Sequence, residues 1–330
     1  MKFLIIQTAF TGDVILATAL LEKLHSTFPQ AEISIVVRKG NESLLKGHPF
    51  LKEVLIWDKK ENKFRNLINL IKLIREKKFD VAINLQRFAG TGLLTILSGA
   101  KEKLGFSKNP FSFFYSKKFP HSIGDGIHEI ERNQSLVSHL TDRNISKTRL
   151  YPTPADKKNI AGYIADNFIT ISPGSVWFTK TVPAYKWIEL IQKYKNDSPE
   201  TVIYLLGSKA ESGLGDEIIS KSGHGKITNL AGKLSFLEST ALMEKAVMNF
   251  VNDSAPLHMA GSVNAPVTAV FCSTVPRFGF GPLSDNSRIV ETDLKLNCRP
   301  CGIHGYRSCP MTHFKCAHSI EVNKIFYSKK

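Results

Sequence analysis

Short apolar runs with the look of buried strands alternate with longer runs of helical periodicity in both halves of this chain, and that alternation restricts the fold more than any other feature. Residues 2–7 (KFLIIQ), 31–37, 53–57 and 79–85 read as strands; 14–28 (VILATALLEKLHSTF) and 64–77 read as helices, with Pro29 ending the first. In the second half, strand runs at 168–172, 201–206, 227–230, 248–252 and 267–271 enclose helices centred on Trp187, Glu217 and Leu242. Strand-helix alternation of this kind predicts a parallel, doubly wound sheet with its functional loops at the strand carboxyl ends. The Pro-rich, charged segment YPTPADKK near mid-chain is the best linker, giving two expected Rossmann-like domains, 1–155 and 156–330. The halves share an architecture without a sequence repeat.

Composition narrows the function classes. No apolar run reaches the roughly 18 residues of a membrane helix, and Gln7 and Asp13 interrupt the apolar start before it can serve as a signal peptide, so a cytoplasmic protein is expected. The 44 Lys and Arg against 29 Asp and Glu give a net charge of +15, which favours an anionic partner: a phosphorylated substrate, an acidic membrane surface or nucleic acid. No GxGxxG or GxxxxGK[ST] pattern occurs, which disfavours dinucleotide enzymes and P-loop NTPases.

In the first half the turn TAFTGD ends at Asp13, where the first strand meets the first helix. A carboxylate in a cleft between two domains can take a proton from an acceptor hydroxyl; the same residue can serve only as N-cap of the helix from Val14. Arg87 follows another strand end. The aromatic, basic stretch 101–120 is expected as an irregular loop beside an acceptor site, or alternatively as a hydrophobic hairpin with Phe111, Phe113 and Phe119 on one face. A helix over 128–140 follows. Arg87, Lys108, His128 and Arg132 are the acceptor-side candidates.

In the second half, ISPGSVWFTKTVPAYKW places Gly174 and Ser175 just after a strand and Lys180 five residues on, so the backbone can approach a phosphate and Lys180 can supply charge. The stretch VMNFVNDSAPLHMAG reads as strand, turn and helix start. Asp253 or Ser254 can cap the first amides, Pro256 suits the first turn, and a phosphate can sit at the helix N-terminus with His258 as a further donor. Asp253 at the strand tip suits sugar hydroxyls; its plainer role is a cap, and that of His258 a surface residue. Glu211 suits ribose hydroxyls, or is a first-turn carboxylate favoured by the helix dipole. Two phosphate-ready turns in one sheet point to a diphosphate ligand.

The opening KFLIIQTAFTGDVILATALL, the block ISPGSVWFTKTVPAYKW, the segment NLAGKLSFLE and the block VNDSAPLHMAG together resemble the heptosyltransferases of glycosyltransferase family 9. The resemblance implies the GT-B fold: two Rossmann-like, doubly wound α/β domains facing a central cleft, with the donor on the C-terminal one. It implies inverting transfer of heptose from ADP-heptose to an acidic lipopolysaccharide inner-core acceptor, without a catalytic metal or cofactor, by a protein peripheral on the inner face of the inner membrane. By resemblance Asp13 is the general base. Ser175, Lys180, the amides of Ser254 and Ala255, and His258 hold the phosphates; Asp253 holds the sugar, Glu211 the ribose, and the backbone around Leu234 the adenine. Ala255 and Pro256 replace a Gly-Leu common in the family, and Trp177 and Phe178 add bulk beside the phosphate loop. The alternatives are a relative using another nucleotide sugar or a protein acceptor and, from another class, a basic nucleic-acid-binding module, although no nucleic acid is expected as partner.

The tail CRPCGIHGYRSCPMTHFKC (298–316) carries Cys298 and Cys301 at the two-residue spacing of a metal knuckle, with Cys309 and Cys316 beyond. Four thiolates can close a structural zinc or iron site; the other reading is four reduced thiols. The autotransporter-modifying branch of the family is associated with iron at a similar tail.

Overall fold

A computed structural model describes residues 1–327. The chain divides into two units, Met1–Tyr151 and Pro152–Lys330. The break falls inside the Pro-rich linker segment, whose remainder is not extended: it opens a helix.

The first unit holds one sheet of six strands, β1 (Lys2–Ile6), β2 (Glu32–Arg38), β3 (Leu51–Trp57), β4 (Val81–Asn84), β5 (Glu102–Phe106) and β6 (Lys117–Phe119). They lie in the order β3-β2-β1-β4-β5-β6, and every pairing is parallel. The helices are α1 (Thr11–Thr27), α2 (Lys63–Lys77), α3 (Ala89–Ile96) and α4 (Glu129–Ser135). α1 is buried almost continuously from Val14 to Leu21, so its sequence is apolar all round, and each Leu or Ile it buries contributes about 1.5–3 kcal/mol. α2 is amphipathic, with Leu67, Leu70, Ile71 and Ile74 packed among Leu4, Ile6, Val36 and Trp57.

The second unit repeats the plan. After α5 (Pro154–Asn159), capped by the Thr153 hydroxyl on the Asp156 amide, come β7 (Phe168–Ser172), β8 (Val202–Leu205), β9 (Ile227–Asn229), β10 (Met248–Asn252), β11 (Val267–Phe271) and β12 (Ser287–Glu291). Their order is β12-β11-β10-β7-β8-β9, again all parallel. Read from the other edge, this is the order of the first sheet. α6 (Ala184–Asp197), α7 (Ser212–Ser222), α8 (Phe236–Lys245) and α9 (Ala255–Ser262) cover the sheet. In both sheets the strand order reverses once, between β1 and β4 and between β7 and β10. Ligands of open α/β sheets bind beside the carboxyl ends of strands at such a reversal.

Several expectations need correction. Residues 101–120 form neither an irregular loop nor a hairpin: β5 and β6 lie parallel at the sheet edge, and Phe113 and Phe114 sit in a tight turn between them, 83% and 62% exposed. The helix expected over 128–140 is regular only to Ser135 and continues as turns. α3 and β12 had no expectation at all. Among the described residues no helix is long and apolar enough to cross a membrane.

Candidate active site

In the first unit β1 delivers the chain at the reversal point, where Gln86 locks the turn: its Oε1 accepts from the Thr8 amide at 3.1 Å and the Thr8 hydroxyl at 2.6 Å. α1 begins at Thr11, two residues before Asp13, so Asp13 is not the N-cap. It lies in the first turn and reaches back to accept from the Phe10 amide at 3.0 Å. Its half-buried carboxylate remains at the strand end.

A charged cluster lies near it. On α4, Glu129 is buried and pairs with Arg132 Nε at 2.8 Å; His121 Nε2 lies 3.9 Å from the same carboxylate. Burial pushes the Glu129 carboxyl up, Arg132 opposes this, and the charge of Asp13 adds to the rise. Burial, followed by Arg87, Arg132 and Lys108, pushes His121 down to about 4. Asp13, Arg87, Lys108 and Arg132 are therefore brought into one electrostatic neighbourhood. Arg132 is itself buried, its guanidinium engaged by Glu129, Asp125 and the Ile127 carbonyl. His128 is the N-cap of α4, its Nδ1 accepting from the Ile130 amide at 3.3 Å. His121 and Glu129 went unnoticed because their contact spans the turn between them and leaves no local pattern in the sequence.

Beside the same turn a cavity of about 380 Å³ is lined by Thr8, Ala9, Phe10, Arg38, Lys39, Asp58, Lys59, Lys60, Gln86 and Phe88, with Asp58 paired to Lys39 at 2.7 Å. Lys59 is the structured member. Its amine donates to the Thr8 hydroxyl at 2.7 Å and the Thr8 carbonyl at 3.0 Å, lies 4.5 Å over the Trp57 ring, and is pushed down to about 8, chiefly by burial and then by Lys63 and Arg38. With Lys39 paired to Asp58, the cavity keeps an excess of positive charge from Arg38, Lys59 and Lys60, carried by strand-end loops whose lysines look in the sequence like solvated ones.

In the second unit Asn252, at the tip of β10, splices the two turns at the reversal point. Its Nδ2 donates to the carbonyls of Pro173 (2.8 Å) and Gly174 (3.1 Å), and its Oδ1 accepts from the Val182 amide at 3.0 Å. Asp253 is buried and does not cap α9: its Oδ2 accepts from the Thr274 hydroxyl at 2.6 Å and pairs with Lys180 Nζ at 2.7 Å. Lys180 is thereby drawn to the head of α9, which starts at Ala255 with no side-chain cap from Ser254. First-turn amides, a lysine and the Gly174-Ser175 turn thus converge. His258, in that first turn, is buried rather than on the surface.

Glu211 closes the other side. Its Oε2 accepts from the Ser208 amide (2.7 Å) and hydroxyl (2.8 Å), while its Oε1 faces Gly174 so closely that a Cβ there would lie 1.9 Å away. The half-buried Leu234 follows Gly232, whose amide donates to the Gly207 carbonyl at 2.8 Å, so the Leu234 turn packs on the Glu211 turn.

Two parallel doubly wound units, each with polar turns gathered at its reversal point, define the GT-B class of fold found in nucleotide-sugar transferases. The solved structure of Escherichia coli ADP-heptose LPS heptosyltransferase II superposes with a TM-score of 0.78 at 20% identity, over 96% of this chain and 98% of that one. Lipopolysaccharide heptosyltransferase 3 of Escherichia coli is 28% identical over 290 residues, 84% of this chain and 85% of the relative. The profile of glycosyltransferase family 9 (heptosyltransferase) matches residues 67–307, and the chain belongs to that family. The iron-containing dodecameric glycosyltransferase TibC of enterotoxigenic Escherichia coli H10407 shares the fold more distantly, with a TM-score of 0.59 at 14% identity over 98% of this chain and 74% of TibC.

The cysteines do not fit a closed metal site in this arrangement. Cys301 Sγ is directed at the Cys298 carbonyl at 3.1 Å, Cys298 Sγ faces His313 Nε2 at 4.0 Å, and burial pushes the Cys316 thiol up to about 11. Among the described residues no three His, Cys, Asp or Glu side chains are disposed to hold an ion. Cys298, Cys301, Cys309 and Cys316 nonetheless lie in one neighbourhood, which both the four-thiolate and the reduced-thiol readings require.

Proposed function

We propose that this glycosyltransferase moves heptose from ADP-heptose to an anionic lipopolysaccharide inner-core acceptor with inversion at the anomeric carbon, at the cytoplasmic face of the inner membrane. The observation that carries the donor assignment is the convergence of Lys180, paired with Asp253, on the uncapped start of α9 and the Gly174-Ser175 turn. On this reading Ser175, Lys180, His258 and the amides of Ser254 and Ala255 hold the diphosphate. Asp253 receives the sugar, Glu211 the ribose, and the Leu234 backbone the adenine. The acceptor hydroxyl gives its proton to Asp13 as its oxygen bonds to C1; the C1–O bond to the diphosphate breaks, and ADP leaves with both electrons of that bond. Charge building on the leaving oxygen is met by Lys180 and the helix start. Arg87, Lys108, His128 and the Lys59 cavity face the acid groups of the acceptor, with Arg132, buried and held by Glu129 and Asp125, adding its charge from behind, and a basic surface suits an anionic bilayer.

The test is nucleotide-sugar turnover followed by mass spectrometry against a panel of donors, with truncated core oligosaccharides and protein acceptors. ADP-heptose with a core oligosaccharide should give one added heptose. Turnover with a different donor or only with a protein acceptor would replace the substrate assignment, and nucleic-acid binding with steep salt dependence and no turnover would remove the enzyme reading.

A further inference from the structure

The tail reaches the donor turn. Cys301 donates its amide to the Ser273 carbonyl at 2.8 Å, and Arg299 donates to the carbonyls of Cys272 (2.7 Å), Phe271 (3.2 Å) and Thr274 (2.7 Å), fastening residues 299–301 to the end of β11. From that anchor the chain turns through Gly305, at φ +77°, and pairs with the residue before Lys180. The Thr179 amide donates to the Tyr306 carbonyl at 3.1 Å, the Tyr306 amide donates to the Thr179 hydroxyl at 2.8 Å, and Ser273 donates to the same hydroxyl at 3.0 Å. Thr179 is 1% exposed. A Cβ on Gly305 would lie 2.8 Å from the Thr179 hydroxyl and 3.2 Å from Lys180 Cγ.

We infer that the loop from Arg299 to Tyr306 is a positioning element for the donor diphosphate, acting on Lys180 through the Thr179 hydroxyl. This rests on the donor site proposed above. The Tyr306 amide and carbonyl and the Ser273 hydroxyl at the β11 end fix the backbone from which Lys180 extends to Asp253, so its amine is held before a ligand arrives. Ordering that would otherwise oppose binding is already present in the free protein. The Cys-rich tail thus buttresses the nucleotide-sugar site from behind Thr179.

ADP titration by calorimetry on full-length protein tests this. Thr179→Val keeps the shape but removes the acceptor shared by Tyr306 and Ser273; it should weaken ADP about tenfold, with Thr179→Ser restoring affinity. Gly305→Ala should weaken ADP from the tail side. Adding Thr179→Val to Lys180→Ala should cost nothing further, because the hydroxyl acts through that lysine. If Lys180→Ala leaves ADP affinity unchanged, the donor-site reading fails. If Lys180→Ala weakens ADP while Thr179→Val and Gly305→Ala, folded by circular dichroism, do not, the positioning role is overturned with the site intact. An undiminished Thr179→Val loss in the Lys180→Ala background overturns it too, and Thr179→Ser and Gly305→Ala decide the matter if Thr179→Val does not fold.

Discussion

Asp13 gives the most direct residue-level test, because its structural duty and its proposed chemistry can be separated. It accepts a hydrogen bond from the Phe10 amide, and an amide oxygen can accept it as well. Asp13→Asn should therefore keep the start of α1 and the melting temperature, yet lower kcat by roughly 10² to 10⁴, since an amide takes up no proton. Near-normal turnover would leave the residue as a helix-start carboxylate. The position of Asp13 at a strand-helix junction was readable from the sequence; its rank within the helix was not, because the helix starts on Thr11 and Gly12, weak formers in any propensity scale. Asp253 shows the same limit: its place at a strand tip was legible, but a partner in Lys180, far away in sequence, leaves no local sign.

At the scale of elements, the β8–α7 turn and the β7–α6 turn are fitted to each other through Gly174 and Glu211. A methyl on Gly174 would displace the Glu211 carboxylate from Ser208, so Gly174→Ala should cost about 1 kcal/mol, the worth of a cap. Glu211→Ala should cost a similar amount and the double variant little more than either, since both remove the same contact. Denaturant unfolding of the three variants measures this; additive losses would mean that Gly174 is required for some other reason. Nine of the twelve strands were legible: seven are interior strands whose burial reads as an unbroken apolar run, and the edge strands β3 and β9 were found from their position in the strand-helix alternation. The exceptions have physical causes. β5 (EKLGF) carries a glycine, needed because a Cβ on Gly105 would lie 2.5 Å from the Tyr115 ring, and β6 (KKF) is a three-residue edge strand. β12 (SRIVE) is an edge strand whose short apolar pair, Ile289 and Val290, sits between polar and charged neighbours.

For the whole molecule, the consequence lies in pH. His48 packs edge-on against Phe50 at 4.5 Å and Tyr151 at 4.8 Å with neither ring nitrogen hydrogen-bonded, and burial, helped by His25, pushes it down to about 4. His121 is pushed down to about 4 as well. In the unfolded chain both titrate near 6.5, so between about 6.5 and 4 the unfolded state binds more protons and stability falls as pH falls; below 4 these two groups add nothing further. Glu129, raised by burial, pulls the other way, because the folded state takes up its proton more readily. A chain already at +15 gains self-repulsion over the same range. Each histidine contributes on the order of 1–3 kcal/mol across the window. His48→Phe keeps an aromatic ring against Phe50 and Tyr151 and removes one titration, so its unfolding free energy should approach, then exceed, that of the unaltered protein as pH drops from 7 to 4. Denaturation curves at half-unit steps measure the difference, and two profiles that stay parallel through that window would show that His48 is protonated in the fold without penalty.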